Sequence, residues 1–287
     1  MNKKHINLAK KAAEITIDPN LLINYDAGTH IDKIFSFEGG LPKSSNYMVT
    51  GPPGVAKSTF VLLYLAQLQQ AGYKCLYVSS EMNRIDMERY FNRFPELREL
   101  DILYLQGLRK DPSDPDSAYF HPSEAFYLQM ENNAYDIVSL DSIAEFIESE
   151  HYFSEQSRKA IEKQLIDKLS YFNALNHTSF LLIQQVTKSN QFFGSNRFKH
   201  VVHGMMELDY EDGENSLNRF VTFSKNRSGK TNQRLYYFFD KAGKLIVDEK
   251  RYDEDLHTDK QCTSDQEKLE KENALFGNWV TTVNGNS

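Results

Sequence analysis

Residues 46–72 read NYMVTGPPGVAKSTFVLLYLAQLQQAG. The apolar run at 47–50 reads as a buried strand, and KSTFVLLYLAQLQQAG as a helix closed by Gly72 near its C-cap. Between them Gly51, Pro52, Pro53, Gly54, Val55, Ala56, Lys57, Ser58 and Thr59 follow the phosphate-loop spacing G-x-x-x-x-G-K-[ST], except that Ala56 stands where the last glycine belongs. Such a loop turns several backbone N–H groups inward, adds the dipole of the helix start and supplies a lysine charge. Ala56 keeps its N–H, so the cradle loses no donor. The cost is conformational, about 1–2 kcal/mol if a left-handed backbone is required of a residue with a Cβ. The spacing predicts Lys57 at the β- and γ-phosphates, the Ser58 hydroxyl on Mg²⁺ and Thr59 near the α-phosphate of bound ATP.

Outward from this stretch, apolar strands alternate with helices. KCLYVSS is a second strand, RIDMERYFNRF a second helix and DILYL a third strand. SEAFYLQMENN is a helix, YDIVSLDS a fourth strand, and residues 155–176 a long helix beginning near Ser154. TSFLLIQQV is a fifth strand, with shorter β segments near 203–209, 219–225, 234–240 and 244–248. This order predicts βαβ units with right-handed crossovers, a mostly parallel twisted sheet covered on both faces, and an antiparallel β extension at one edge. Asp141 ends the fourth strand, where an open α/β sheet places its ligand crevice, and a carboxylate there can orient Mg²⁺ through water. The expected organisation is an N-terminal helix (3–14) and connector over 1–30, the α/β domain over 31–248, and an acidic tail over 249–287.

The 287 residues carry a net charge of -7, with 40% hydrophobic and 25% charged residues. From Glu249 to Glu272 nine acids face five bases, a net of -4, which leaves -3 for the body. That balance does not recommend nucleic acid, yet a local basic surface remains compatible with it. No apolar run approaches the roughly 20 residues of a membrane span, and no secretory leader is visible. Two distant cysteines, Cys75 and Cys262, exclude a disulfide framework and a cysteine-based zinc module; they suit a reducing cytoplasm.

The order of motifs resembles the RecA-like ATPase core, in particular the RadA/Sms and DnaB branch, over roughly residues 30–248. The loop form G-P-P-G-x-A-K-[ST] also resembles that of MoxR-type AAA ATPases. The resemblance implies a three-layer RecA-like fold and assigns roles residue by residue. Glu81, in YVSSEMN, matches the glutamate that polarises the attacking water. Gln185, in LLIQQVTKSN, matches the polar sensor of the γ-phosphate, with Gln184 as its neighbour. The following loop, KSNQFFGSNRFKHVVHG, matches the DNA-binding loop; Lys188, Arg197 and Lys199 alternate there with Phe192, Phe193 and Phe198, a mixture suited to backbone contact and base stacking. A hydrophobic cluster under the loop would use the same aromatics. Lys225 and Arg227, in FSKNRSGK, match the basic pair that reaches the nucleotide of an adjacent subunit, and their spacing puts both on one strand face. Ser228 replaces the phenylalanine of the RadA form. His200 and His203 lack the further ligands of a metal set.

These readings imply a Mg-ATP-dependent oligomeric DNA motor, a helicase or branch-migration translocase on single-stranded DNA. Its expected partners are further copies of itself, in a ring (a hexamer) or a filament, single-stranded DNA, and a protein docked through the Trp279 tail. A strand-exchange recombinase is the alternative within the motor class. A KaiC-like nucleotide-dependent switch or scaffold is the alternative outside it.

Overall fold

Strands β1 (Asn46–Thr50) and β2 (Cys75–Ser79) are buried along their whole length. So are β4 (Ile137–Asp141) and β5 (Ser179–Ile183), whereas β3 (Asp101–Tyr104) is partly exposed. Strands buried on both faces need helices above and below them, and the computed structural model supplies these. It describes residues 11, 15–114, 116–185, 197–213, 216–241 and 243–256. They fall into two compact units, residues up to Asp209 with Thr222–Gln233, and Tyr210–Val221 with residues from Arg234 onward.

In the first unit the strand order is β3-β2-β4-β5-β1-β6, where β6 is Gly204–Tyr210, and every neighbour pair is parallel. Alternation along the strands sends Leu76, Val78, Val138, Leu140, Phe180 and Leu182 to one face. There they share a core with Phe126 of α3 (Pro122–Asn132), Phe146 of α4 (Ile143–Ser154) and Leu165 of α5 (Arg158–Asn176). Tyr77, Ser79, Ser139 and Asp141 point the other way. On that side α1 (Lys57–Gln70) lies against β2, β4 and β5. A second aromatic group there joins Phe35, stacked on Tyr64 at 5.3 Å, with Tyr47 and Phe223 edge-on to it. Helix α2 (Arg84–Arg93) follows β2, capped by the Asn83 side chain, which accepts from the N–H groups of Ile85 and Asp86.

Two local expectations change. The long helix expected over 155–176 is preceded by a separate one, α4. Ser142 caps the start of α4, Glu155 turns left-handed at its end with φ 58°, and Ser157 caps α5 anew. The short helix α6 (Arg197–Val201) leads into β6, and β6 pairs with β1 in parallel, Tyr47 beside Gly204 and Thr50 beside Glu207. A parallel neighbour requires a crossover connection rather than a hairpin. The antiparallel part therefore begins only after β6. Strand β7 (Arg219–Asn226) lies next to β6.

The second unit contains the start of β7, which pairs antiparallel with β8 (Leu235–Phe239), itself antiparallel to β9 (Leu245–Val247). Residues 249–256 are helical and carry Tyr252, 1% exposed. Arg251 in this segment grips the Glu211 carboxylate with both terminal nitrogens and lies over the Tyr236 ring at 3.5 Å. The sequence boundary at 248 falls just before this segment. The tail from 257, with Trp279, and all but Lys11 of the helix expected at 3–14 lie outside the described residues. No described helix is long and apolar enough to cross a membrane.

Candidate nucleotide site

The turn between β1 and α1 adopts the conformation its spacing implies. Ala56 sits in the left-handed region at φ 78° and ψ 35°, so the alanine occupies the backbone state for which glycine is the unstrained choice. Gly54 is also left-handed, at φ 79°. At Gly51 a Cβ would lie 2.3 Å from the Leu208 carbonyl oxygen, so only glycine fits there. Val55 is fully buried and contributes side-chain packing; what it can offer a ligand is its backbone. No side chain caps the start of α1, which leaves its first-turn N–H groups for an anion. Lys57 is 7% exposed and its Nζ donates to the carbonyls of Gly51 at 2.8 Å and Pro52 at 3.1 Å. Burial lowers its pKa, and the nearby Asp141 and Glu81 carboxylates oppose that shift. The ammonium is thus held across the mouth of the cradle.

Asp141, 3% exposed, lies beside this loop at the end of β4. Its Oδ2 accepts a short hydrogen bond from the Tyr77 hydroxyl, and the Ser58 hydroxyl interacts with the same carboxylate. Burial pushes the Asp141 carboxyl up, against the pull of these two hydroxyls. The site accordingly brings together the two groups expected at Mg²⁺. A hydroxyl and a carboxylate are hard oxygen donors, and they stand at the helix start where phosphates would lie. Among the described residues no group of three or more His, Cys, Asp or Glu is set to hold a metal. The Thr59 hydroxyl donates to the Tyr90 hydroxyl oxygen at 3.4 Å.

Glu81 and Gln185 also converge. The end of β2 is tied to β4 by Ser80, whose N–H donates to the Asp141 carbonyl at 2.7 Å and whose Oγ exchanges hydrogen bonds with the backbone of Ser142. The next residue, Glu81, is exposed, and the Gln185 amide donates to its two oxygens at 3.4 and 3.3 Å. The two glutamines separate cleanly. Gln184 is 1% exposed, and its N–H continues the ladder to the Val49 carbonyl, while Gln185 faces out toward Glu81.

The basic pair stands at the end of β7, Lys225 on the strand and Arg227 one residue past it. Lys225 Nζ donates to the Lys199 carbonyl at 2.8 Å, and both Lys225 and Arg227 reach the His200 carbonyl at 3.4 Å. His203 is structural: its Nδ1 accepts from the Asn46 N–H at 3.1 Å. Of the expected DNA-binding residues, Lys188, Phe192 and Phe193 lie outside the described residues. Arg197 and Lys199 belong to α6. Phe198 does not face a ligand; it is 2% exposed inside the main core, because the helical turn of α6 points it inward. Sequence reasoning missed Tyr77 and Tyr90. Each looks like an ordinary strand or helix aromatic until the strand register and the packing of α2 are known.

The model of the KaiC ATPase family matches residues 27–251. The DNA repair protein RadA of Chlamydia trachomatis is 27% identical over 199 residues, 69% of this chain and 40% of its own length. That of Rickettsia typhi is 24% identical over 213 residues, 73% and 44%. The chain thus spans less than half the length of these relatives. Among solved structures, a KaiC-like protein of Pyrococcus horikoshii superposes with TM-score 0.56 at 16% identity, covering 79% of this chain and 99% of its own. The flagellar accessory protein FlaH of Methanocaldococcus jannaschii gives 0.53 at 16% identity, covering 77% and 95%. Both share the fold.

Proposed function

This chain belongs to the KaiC ATPase family, and from that premise we propose that it is a Mg-ATP-driven, oligomeric motor acting on single-stranded DNA. The observation that carries the reading is the meeting of Lys57, Ser58, Asp141, Glu81 and Gln185 at the carboxyl ends of adjacent parallel strands. Lys57 and the first-turn N–H groups of α1 bind the phosphates of ATP, and Thr59 lies beside the α-phosphate. Ser58 and Asp141 would hold Mg²⁺, which neutralises phosphate charge. Glu81 orients the attacking water, and the Gln185 amide stands where it can exchange the carboxylate for a γ-phosphate oxygen. Gln185 immediately precedes the loop with Lys188, Phe192 and Phe193, so loss of the phosphate is reported to the segment proposed to grip DNA, with Arg197 and Lys199 at its far end. Lys225 and Arg227, which bond carbonyls of α6, reach the nucleotide of a neighbouring copy, which implies a ring, read as a hexamer, or a filament. The names of the RadA relatives favour DNA repair as the setting, in a cytoplasmic protein. A helicase or branch-migration translocase is the form proposed, with a strand-exchange recombinase as the alternative within the motor class.

One observation favours a second reading. The net charge of -7 is unusual support for a DNA enzyme, and a nucleotide-dependent switch or scaffold needs no basic groove. Steady-state ATP hydrolysis with and without single-stranded DNA, at several protein concentrations, separates the two. Turnover that rises with both supports the motor. Tight ATP binding with slow, DNA-indifferent turnover overturns it in favour of the switch and directs attention to a protein partner, beginning with the Trp279 tail.

A further inference from the structure

Tyr77 lies two residues before the end of β2 and is opposite Ser139 in the parallel register, with Ser79 opposite Asp141. All four side chains share the face covered by α1. The small, fully buried Ser139 leaves the cross-strand space to the Tyr77 ring, and the Ser139 hydroxyl itself has no hydrogen-bond partner. The ring therefore runs diagonally along the strands, and its hydroxyl ends on Oδ2 of Asp141. Ser58, on the first turn of α1, lies beside both the Tyr77 hydroxyl and the Asp141 carboxylate. Nothing else in the described hydrogen bonding fixes that carboxylate by its side-chain oxygens. A buried carboxylate free to rotate would offer either oxygen to the ligand space; one oxygen pinned by a phenol presents the other in a single direction.

We propose that Tyr77 is a positioning residue that orients the Asp141 carboxylate toward the divalent cation of the bound nucleotide. The proposal rests on the reading of Asp141 and Ser58 as the Mg²⁺ groups. A partner that orients a metal-binding carboxylate without touching the metal acts on metal affinity, commonly by about 10- to 100-fold. It leaves contacts between the phosphates and the loop alone. Tyr77→Phe keeps the ring and its packing and removes only the hydroxyl.

The test is binding of a fluorescent N-methylanthraniloyl ATP to the full chain as Mg²⁺ is titrated, with EDTA as the metal-free reference. For Tyr77→Phe the Mg²⁺ half-saturation rises by about tenfold or more, while affinity in EDTA stays at the wild-type value. A half-saturation equal to wild type overturns the proposal, and so does an equal loss of affinity in EDTA, which marks a purely structural role. In an Asp141→Asn background the same change has no further effect; a full additional loss there overturns the proposal, because the hydroxyl then acts elsewhere. Should the phenylalanine variant not fold, 3-fluorotyrosine at position 77 keeps the ring and donates more strongly, so the half-saturation falls; no change overturns the proposal. If wild-type binding ignores Mg²⁺ altogether, the assignment of Asp141 and Ser58 fails first and Tyr77 with it.

Discussion

The candidate site has two halves of different character. At the loop, Lys57 and Asp141 are 7% and 3% exposed and are already held, the lysine by two carbonyls and the carboxylate by a buried phenol. Toward the rim, Glu81 and Gln185 are exposed and meet through two contacts of 3.4 and 3.3 Å, at the limit of a hydrogen bond. The first half is assembled by the fold, since each group sits on a strand or helix end that the core fixes. Under the proposed function the second half is completed by what binds. Phosphate recognition needs a cradle prepared in advance, whereas hydrolysis that answers to DNA or a neighbour needs groups that reach their final geometry only on engagement. Under the proposed function, that difference would put control at the rim.

Substitutions in the two halves should therefore fail differently. Lys57→Ala has the largest expected effect, loss of nucleotide binding together with turnover, because it removes the ammonium held across the cradle. Retained hydrolysis in that variant would sink the assignment of the loop itself. Arg227→Ala comes next. If the basic pair acts on an adjacent nucleotide, turnover falls by about 10³-fold, the lower end for an arginine acting on a phosphoryl transition state, with nucleotide affinity unchanged. Mixing this protein with the Lys57→Ala protein restores part of the activity, since each supplies the half-site the other lacks. Absence of rescue at every mixing ratio would count against a site shared between copies. Glu81→Gln is expected to slow hydrolysis by about 10²-fold, the scale of a water-orienting base, again with binding intact. A matching loss of ATP affinity would mean that Glu81 belongs to the prepared half and that the division drawn here is misplaced.

The two halves also differ in how far the sequence discloses them. The loop is local: strand, turn and helix follow one another within 27 residues of sequence (46–72), so spacing and periodicity suffice. The end of β4 was legible for the same reason, as an apolar strand closing on Asp141. The approach of Gln185 to Glu81 came from resemblance and from the order of motifs, because nothing in either stretch names the other. Two features stayed hidden and a third was left open. Tyr77 becomes a partner of Asp141 only through the β2–β4 register, which no single segment encodes. The break between α4 and α5 depends on Glu155 adopting a left-handed turn, which a residue of that type rarely signals. For Phe198 the sequence left both a DNA-facing and a buried reading open, and the phase of a five-residue helix turns it into the core.

The smallest effect tests the prepared half at its weakest point. Ala56 carries a Cβ in a left-handed conformation, at a cost of about 1–2 kcal/mol relative to an unstrained backbone. Glycine removes that strain but frees the unfolded chain, which takes back about 0.4–1 kcal/mol. Ala56→Gly should thus stabilise the protein by roughly 0.5 kcal/mol, raising Tm by about 1–2 °C for a chain of this size, and leave ATP affinity unchanged, because the N–H donor is present in both. Gly51→Ala makes the opposite case, since its Cβ would press 2.3 Å from the Leu208 carbonyl oxygen and the strand itself must shift. Paired melting curves decide between them: a loss of stability in Ala56→Gly would mean that the alanine is not strained in solution, and that the loop reaches its left-handed form only when phosphate draws it there.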